Sequence, residues 1–174
     1  MGGNQTADKL KGIKFLVMDV DGTMTDAGVY YSRNGEELKR FSIRDGMGIE
    51  LLRLGGVDVG IITSEISQIV TSRAAKLKIN HVILGSRNKK LSLTDLAASV
   101  GLGLSEIAFI GDDVNDIQAM KISGLSACPS DSAEEVMKIA DIILTKPGGK
   151  GAIRELAEKI LESQNKSITL PENW

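Results

Sequence analysis

The chain has 174 residues, 42% hydrophobic and 25% charged, which suits one globular domain that buries its core without disulfide or metal staples. Its net charge of −2, with no basic cluster, argues against a nucleic-acid partner, because neutralising phosphates calls for a Lys/Arg patch. No apolar run approaches the length of a membrane span, so a cytoplasmic protein without membrane association is the expectation.

In chain order, the first eleven residues, MGGNQTADKLK, carry no apolar stretch. They read as a flexible N-terminal segment and not as a signal peptide. One domain is predicted over 12–164, followed by a tail over 165–174 that is expected to fray. Aromatic residues make up only 3%, so the core must be aliphatic, as in a buried parallel sheet. Five short apolar runs recur: IKFLVMD, VDVGIIT, HVILG, IAFIGD and ADIILT. Each has strand length and ends at a polar residue or glycine.

Segments with helical spacing lie between and after these runs. DGMGIELLRLGG places Ile49, Leu52 and Leu54 near one face, with Asp45 as the predicted N-cap and Gly55-Gly56 as the stop. SQIVTSRAAKLKI, KKLSLTDLAASVGL, DDVNDIQAMKISG and GAIRELAEKILESQ read the same way. Alternating strands and helices predict an α/β fold with a doubly wound, mostly parallel sheet. The single cysteine, Cys128, reads as a small buried apolar residue, and the single histidine, His81, as the start of a strand.

One stretch breaks the alternation. GVYYSRNGEELKRFSI has two β-like arms around Asn34-Gly35, a strong hairpin turn signal. The predicted hairpin, about 28–43, follows the first strand, at the edge where open α/β sheets bind ligands. It would cover a site or pair with another subunit.

The chemistry gathers at the strand ends. Asp19 and Asp21 follow the first apolar run and start on the same side of the strand, and Gly22 allows a sharp turn behind them. A second acidic cluster, Asp112, Asp113 and Asp116, ends the IAFIG run. In a doubly wound sheet the two clusters converge on one edge. Crowded carboxylates resist ionising, and oxygen-only ligands without His or Cys specify a hard cation, Mg²⁺ before Ca²⁺. Thr63 and Ser64 end a further strand, where hydroxyls and backbone N–H groups would hold phosphate oxygens. Lys89 follows the next strand and supplies a cation.

The order Asp-x-Asp-Gly-Thr (Asp19 to Thr23), Thr63, Lys89 and Gly-Asp-Asp-x-x-Asp (Gly111 to Asp116) resembles the haloacid dehalogenase superfamily of phosphatases. The resemblance runs from about residue 12 to 160. It implies Asp19 as nucleophile, forming an aspartyl-phosphate, and Asp21 as general acid and then base. It also implies Mg²⁺ held by Asp19, the backbone carbonyl of Asp21 and Asp112. Thr63, Ser64 and Lys89 would grip the phosphoryl group, Asp116 would orient Lys89, and Asp113 would support the metal from behind.

Only a hairpin and one helix separate Asp26 from Thr63, too little for a cap domain. DVDGTMTDAGVYY, GEELKRFSIRDGMGI and KPGGKGAIRE resemble the capless branch that contains the 3-deoxy-manno-octulosonate 8-phosphate (Kdo-8-phosphate) phosphatases. That branch implies a phosphorylated sugar acid as substrate and a homotetramer in which the hairpins assemble centrally and neighbours help to close each site. Where the eight-carbon enzymes read Thr-Gly-Arg, this chain reads Thr63-Ser64-Glu65, with Lys76 eleven residues after Glu65. The Glu65/Lys76 pair resembles relatives that act on KDN-9-phosphate and N-acylneuraminate-9-phosphate. The sequence therefore leans to a nine-carbon substrate, with Kdo-8-phosphate as the alternative. A broad small-phosphate phosphatase and a noncatalytic assembly protein are the further readings.

Overall fold

The computed structural model describes residues 2–172; Met1, Asn173 and Trp174, which belong to the predicted N-terminal segment and tail, lie outside the described residues. The core is a six-stranded sheet built from β1 (Phe15–Met18), β4 (Asp58–Ile62), β5 (His81–Ile83), β6 (Ile107–Ile110), β7 (Leu125–Cys128) and β8 (Ile142–Ile143). Its order is β5-β4-β1-β6-β7-β8, and every pairing is parallel. The hairpin strands β2 (Thr25–Ser32) and β3 (Gly35–Phe41) form a separate antiparallel pair. The predicted doubly wound α/β architecture is the one observed.

β1 shows why the fold has three layers. All four of its residues are buried, and they alternate between two cores. Leu16 and Met18 pack with Ile49 and Leu52 of α2 (Ile43–Leu54), Val70 of α3 (Gln68–Lys76) and Leu156 of α7 (Ala152–Ser163). Phe15 and Val17 pack with Leu93 of α4 (Lys89–Val100), Met120 of α5 (Ile117–Met120) and Val136 of α6 (Glu134–Met137). The chain leaves β1 toward β4 and β5, then returns to the other side at β6. That reversal opens a crevice at the carboxyl ends of β1 and β6.

Several expectations are corrected. The described part of the predicted N-terminal segment is not irregular: α1 (Gly2–Gly12) is helical, Leu10 packs on the core, and Gln164 Nε2 donates to the carbonyls of Leu10 and Ile13. The tail also docks, with Ile168 and Leu170 against the core. β7 has no counterpart among the predicted strands. Leu-Ser-Ala-Cys lacks β-branched residues and earns its place by burial, with Ser126 held by the Asp141 carboxylate. ADIILT yields only two strand residues, and DDVNDIQAMKISG only four helical ones. The hairpin spans 25–41, because the backbone pairs back to Thr25 and Phe41 while Ser42 becomes a cap.

That cap displaces the predicted one. Ser42 opens α2 and accepts from the Asp45 N–H, leaving the Asp45 carboxylate free to act elsewhere. Asp45 is 3% exposed and accepts the backbone N–H groups of Gly151 and Arg154 at 3.1 and 2.9 Å. It thereby caps α7 from the neighbouring helix. The turn before α7 is equally constrained, because a Cβ on Gly148 would lie 1.8 Å from the carbonyl oxygen of Gly22. The loop that begins α7 therefore supports the turn behind Asp19 and Asp21.

Asp45→Ala is expected to lower unfolding free energy by about 2 kcal/mol, since it orphans one buried and one part-buried donor at a helix start. Urea denaturation measures this; a midpoint unchanged from wild type would show that the tie between α2 and α7 contributes nothing.

Candidate active site

The residues predicted from four strand ends meet at one edge of the sheet. Asp19 follows β1 directly, its N–H still donating to Ile110 of β6 at 3.0 Å, and is 4% exposed. Lys89, the first residue of α4, places Nζ 2.6 Å from Asp19 Oδ1 and 2.6 Å from Asp116 Oδ1. Its side chain is 1% exposed. Burial pulls the ammonium pKa down, but the two carboxylates outweigh it and the pKa is raised. Lys89 therefore stays charged.

Asp116 organises the loop after β6. It is fully buried, and its Oδ2 accepts the backbone N–H groups of Asp112 and Asp113 at 3.1 and 3.3 Å. Asp116 thus orients Lys89 and shapes the Asp112 turn with its two oxygens. Asp112 Oδ1 accepts from the Thr23 hydroxyl at 2.9 Å. Gly22 lies beside it at φ +90°, where a Cβ would fall 2.0 Å from Asp112 Oδ2. Only glycine lets the two acidic loops approach this closely.

Asp19, Asp112 and Asp116 bring one oxygen each within 4.8 Å of one another. Burial and the Asp116 carboxylate push Asp19 up to about 8, despite Lys89. Burial, with Asp116 and Asp113, pushes Asp112 up to about 7, despite Thr23. Three carboxylates face one ammonium, which leaves a surplus of negative charge. The donors are all oxygens and close together, so the cluster fits a hard divalent cation.

Asp21 lies beside this cluster. Its Oδ1 accepts from Lys39 Nζ of β3 at 2.5 Å, and Lys39 also binds Glu36 at 2.8 Å. Burial pulls the Lys39 pKa down, but the hydrogen bonds to Asp21 and Glu36 prevail and raise it. Sequence reading missed Lys39 as a site residue. Strand alternation was the available signal, since Lys39 shares a face with the partly buried Phe41 in an otherwise exposed hairpin.

A cavity of about 160 Å³ opens over the cluster, lined by Asp19, Asp21, Thr63, Ser64, Glu65, Asp113 and Asn115. Thr63 is buried, and its hydroxyl accepts from the Glu65 N–H at 3.3 Å. Ser64 accepts from Asn115 Nδ2 at 3.2 Å, a bridge across the cavity mouth that spacing alone did not reveal. Asp113 bonds the N–H of Val114 within its own loop. Glu65 is exposed at the rim. Lys76 ends α3 and lines a different groove, with Ile43, Gly46, Met47 and Arg73, so one chain does not bring it to Glu65.

Comparison with known proteins agrees with this fold. A family model described as haloacid dehalogenase-like hydrolase matches residues 60–156. The 3-deoxy-D-manno-octulosonate 8-phosphate phosphatase of Haemophilus influenzae is 38% identical over 159 residues, 91% of this chain and 88% of that one. The crystal structure of that phosphatase from Moraxella catarrhalis, in complex with magnesium, phosphate and Kdo, is 39% identical. It superposes with a TM-score of 0.91 over 94% of each chain. The cobalt-bound Haemophilus influenzae structure, at 38% identity, gives a TM-score of 0.90 over 91% of this chain and 93% of that one. Sequence, fold and the order of the strand-end residues lead to one assignment: the chain belongs to the haloacid dehalogenase-like hydrolases.

Proposed function

We propose that this protein is a Mg²⁺-dependent phosphomonoesterase that removes the terminal phosphate of a 2-keto-3-deoxy sugar acid, Kdo-8-phosphate foremost. The observation that carries the reading is the buried Asp19–Lys89–Asp116 cluster beside Asp112, in a crevice that also presents Asp21. The eight-carbon substrate is favoured by relatives of that activity, which align over nine-tenths of this chain. The nine-carbon lean of the sequence is thereby demoted. It survives as a second reading on one observation: Glu65, an anion, stands at the cavity rim.

Asp19 attacks phosphorus with a carboxylate oxygen. The bond from phosphorus to the sugar oxygen breaks, its electron pair stays on that oxygen, and Asp21 supplies the proton. Water then attacks the aspartyl-phosphate, Asp21 takes its proton, and the Asp19 carboxylate is restored as phosphate leaves. Lys89 holds the phosphoryl oxygens near Asp19, with the Thr63 and Ser64 groups on the opposite wall. Asp19, the backbone carbonyl of Asp21 and Asp112 would hold Mg²⁺, which when bound offsets negative charge on the carboxylates and the phosphate. Asp116 keeps Lys89 in place, and Asp113 shapes the wall of the site.

The cavity volume of about 160 Å³ lies below the ~300–1,000 Å³ usual for a whole small-molecule site. It suits the phosphoryl end, with the sugar acid extending past Glu65. We therefore propose a homotetramer in which neighbouring chains cover the sugar. The exposed hairpin residues Tyr30, Tyr31 and Leu38 support this. A single-chain mass by light scattering at micromolar concentration would remove the shared-site part of the reading.

Asp19→Asn is expected to lower turnover at least ~1,000-fold with an unchanged circular dichroism spectrum. Near-normal turnover would refute the nucleophile. The substrate is decided by kcat/KM for Kdo-8-phosphate, KDN-9-phosphate and N-acetylneuraminate-9-phosphate, with Kdo-8-phosphate expected to lead. In the same panel Glu65→Arg should raise the eight- to nine-carbon ratio by about tenfold. An unmoved ratio would remove Glu65 as a discriminator, and equal turnover of simple phosphates would remove the sugar acid reading.

A further inference from the structure

We propose that Lys39 is the positioning residue for Asp21, holding one carboxylate oxygen so that the other is presented to the leaving oxygen of the substrate. This rests on the phosphomonoesterase reading above and adds a hairpin residue to it.

The two oxygens of Asp21 are in opposite situations. Oδ1 accepts from Lys39 Nζ at 2.5 Å. Oδ2 is buried with no hydrogen-bond partner among the described residues, while Asp21 lines the cavity over Asp19. A buried carboxylate oxygen without a donor is costly, and native structures keep such atoms where a ligand or reaction uses them. Turning Oδ2 toward the ammonium would break a charge-assisted bond before a new one forms. Lys39 therefore fixes the orientation of the Asp21 carboxylate and with it the place of Oδ2.

Lys39 is itself anchored from behind. Its side chain is 1% exposed, and its second partner is Glu36 Oε1 at 2.8 Å. Glu36 accepts from the hydroxyl of Ser67, the N-cap residue of α3, two positions after Glu65. The network runs from the start of α3 through the hairpin to Asp21, which lines the cavity. A plain fastening role for the pair is the competing account. Burying an ammonium to fasten a hairpin is inefficient, because a packed apolar pair does so without the desolvation cost. An ammonium aimed at a reacting carboxylate has no apolar substitute.

The test separates aim from structure by leaving group. In Lys39→Met and Lys39→Gln, kcat/KM is measured with the better sugar acid phosphate and with p-nitrophenyl phosphate. The sugar alkoxide must be protonated as it leaves, and the nitrophenolate need not be. kcat/KM covers only the steps through departure of the leaving group, so later hydrolysis of the aspartyl-phosphate does not enter. The expected result is a fall of about 100-fold for the sugar acid phosphate and less than about threefold for the aryl ester. Lys39→Arg keeps the charge in a differently shaped fork, and its selective fall is smaller, about fivefold. Equal falls on both substrates, or no fall on either, overturn the proposal. Absence of a selective fall in Lys39→Arg overturns it as well, so the test stands even where the neutral variants do not fold. Wild-type protein inert toward both phosphates overturns instead the phosphomonoesterase reading.

Discussion

One buried ammonium organises the carboxyl edge of this sheet. Lys89 sits between Asp19 and Asp116, all three nearly sealed from solvent. Removing such charges from water costs several kcal/mol per ion even after relaxation. The cost is offset by two 2.6 Å bonds from the ammonium and by two backbone N–H groups on the far oxygen of Asp116. The same bonds set the geometry. Asp116 shapes the turn that presents Asp112, and Lys89 fixes the rotamer of Asp19. The cluster has more negative than positive charge, which is the chemical demand for a cation, and burial together with that imbalance raises the pKa values of Asp19 and Asp112.

The rest of the fold holds that edge still. β1 lies between β4 and β6, so both acidic loops emerge from adjacent strands in register. Behind them, Gly148 packs against the Gly22 carbonyl, and Asp45 ties α2 to the start of α7. These contacts lie outside the cavity, yet they decide where Gly22 and therefore Asp21 and Asp112 can be. A site that must place reacting groups within tenths of an ångström requires rigid support of this kind.

Most of the sheet and the acidic cluster were legible in the sequence, for identifiable reasons. FLVM and IAFI are apolar runs that end in acid, and that pattern has few other physical meanings. Asn34-Gly35 specified the hairpin turn, and its Gly35 indeed has φ +109°. What escaped depended on partners distant in sequence. β7 is a strand because neighbours bury it, which LSAC does not announce. Asp45 resembled a cap for its own helix and caps another 106 residues away. α1 forms on a weakly patterned stretch because Gln164 and Asp141 receive it. Lys39 looked like one charge among several on an exposed hairpin, and only the fold shows that it turns inward.

That last case bears on how a hydrolase without a cap domain manages its active site. A cap would deliver residues to the substrate from above and exclude water. Here, among the described residues, the hairpin reaches the site through Lys39, which bonds Asp21 and Glu36, while most of its side chains are exposed. The hairpin is thus tied to the chemistry on its inner face and leaves Tyr30, Tyr31 and Leu38 open on its outer one. The hairpin is tied to Asp21 both through the short turn from Gly22 to Thr25 and through the buried Lys39 ion pair. Docking of another chain on the hairpin would therefore do more than cover the sugar. In the proposed mechanism it would stiffen the element that holds Asp21, so closure of the site and positioning of the proposed proton donor would arise from the same contact.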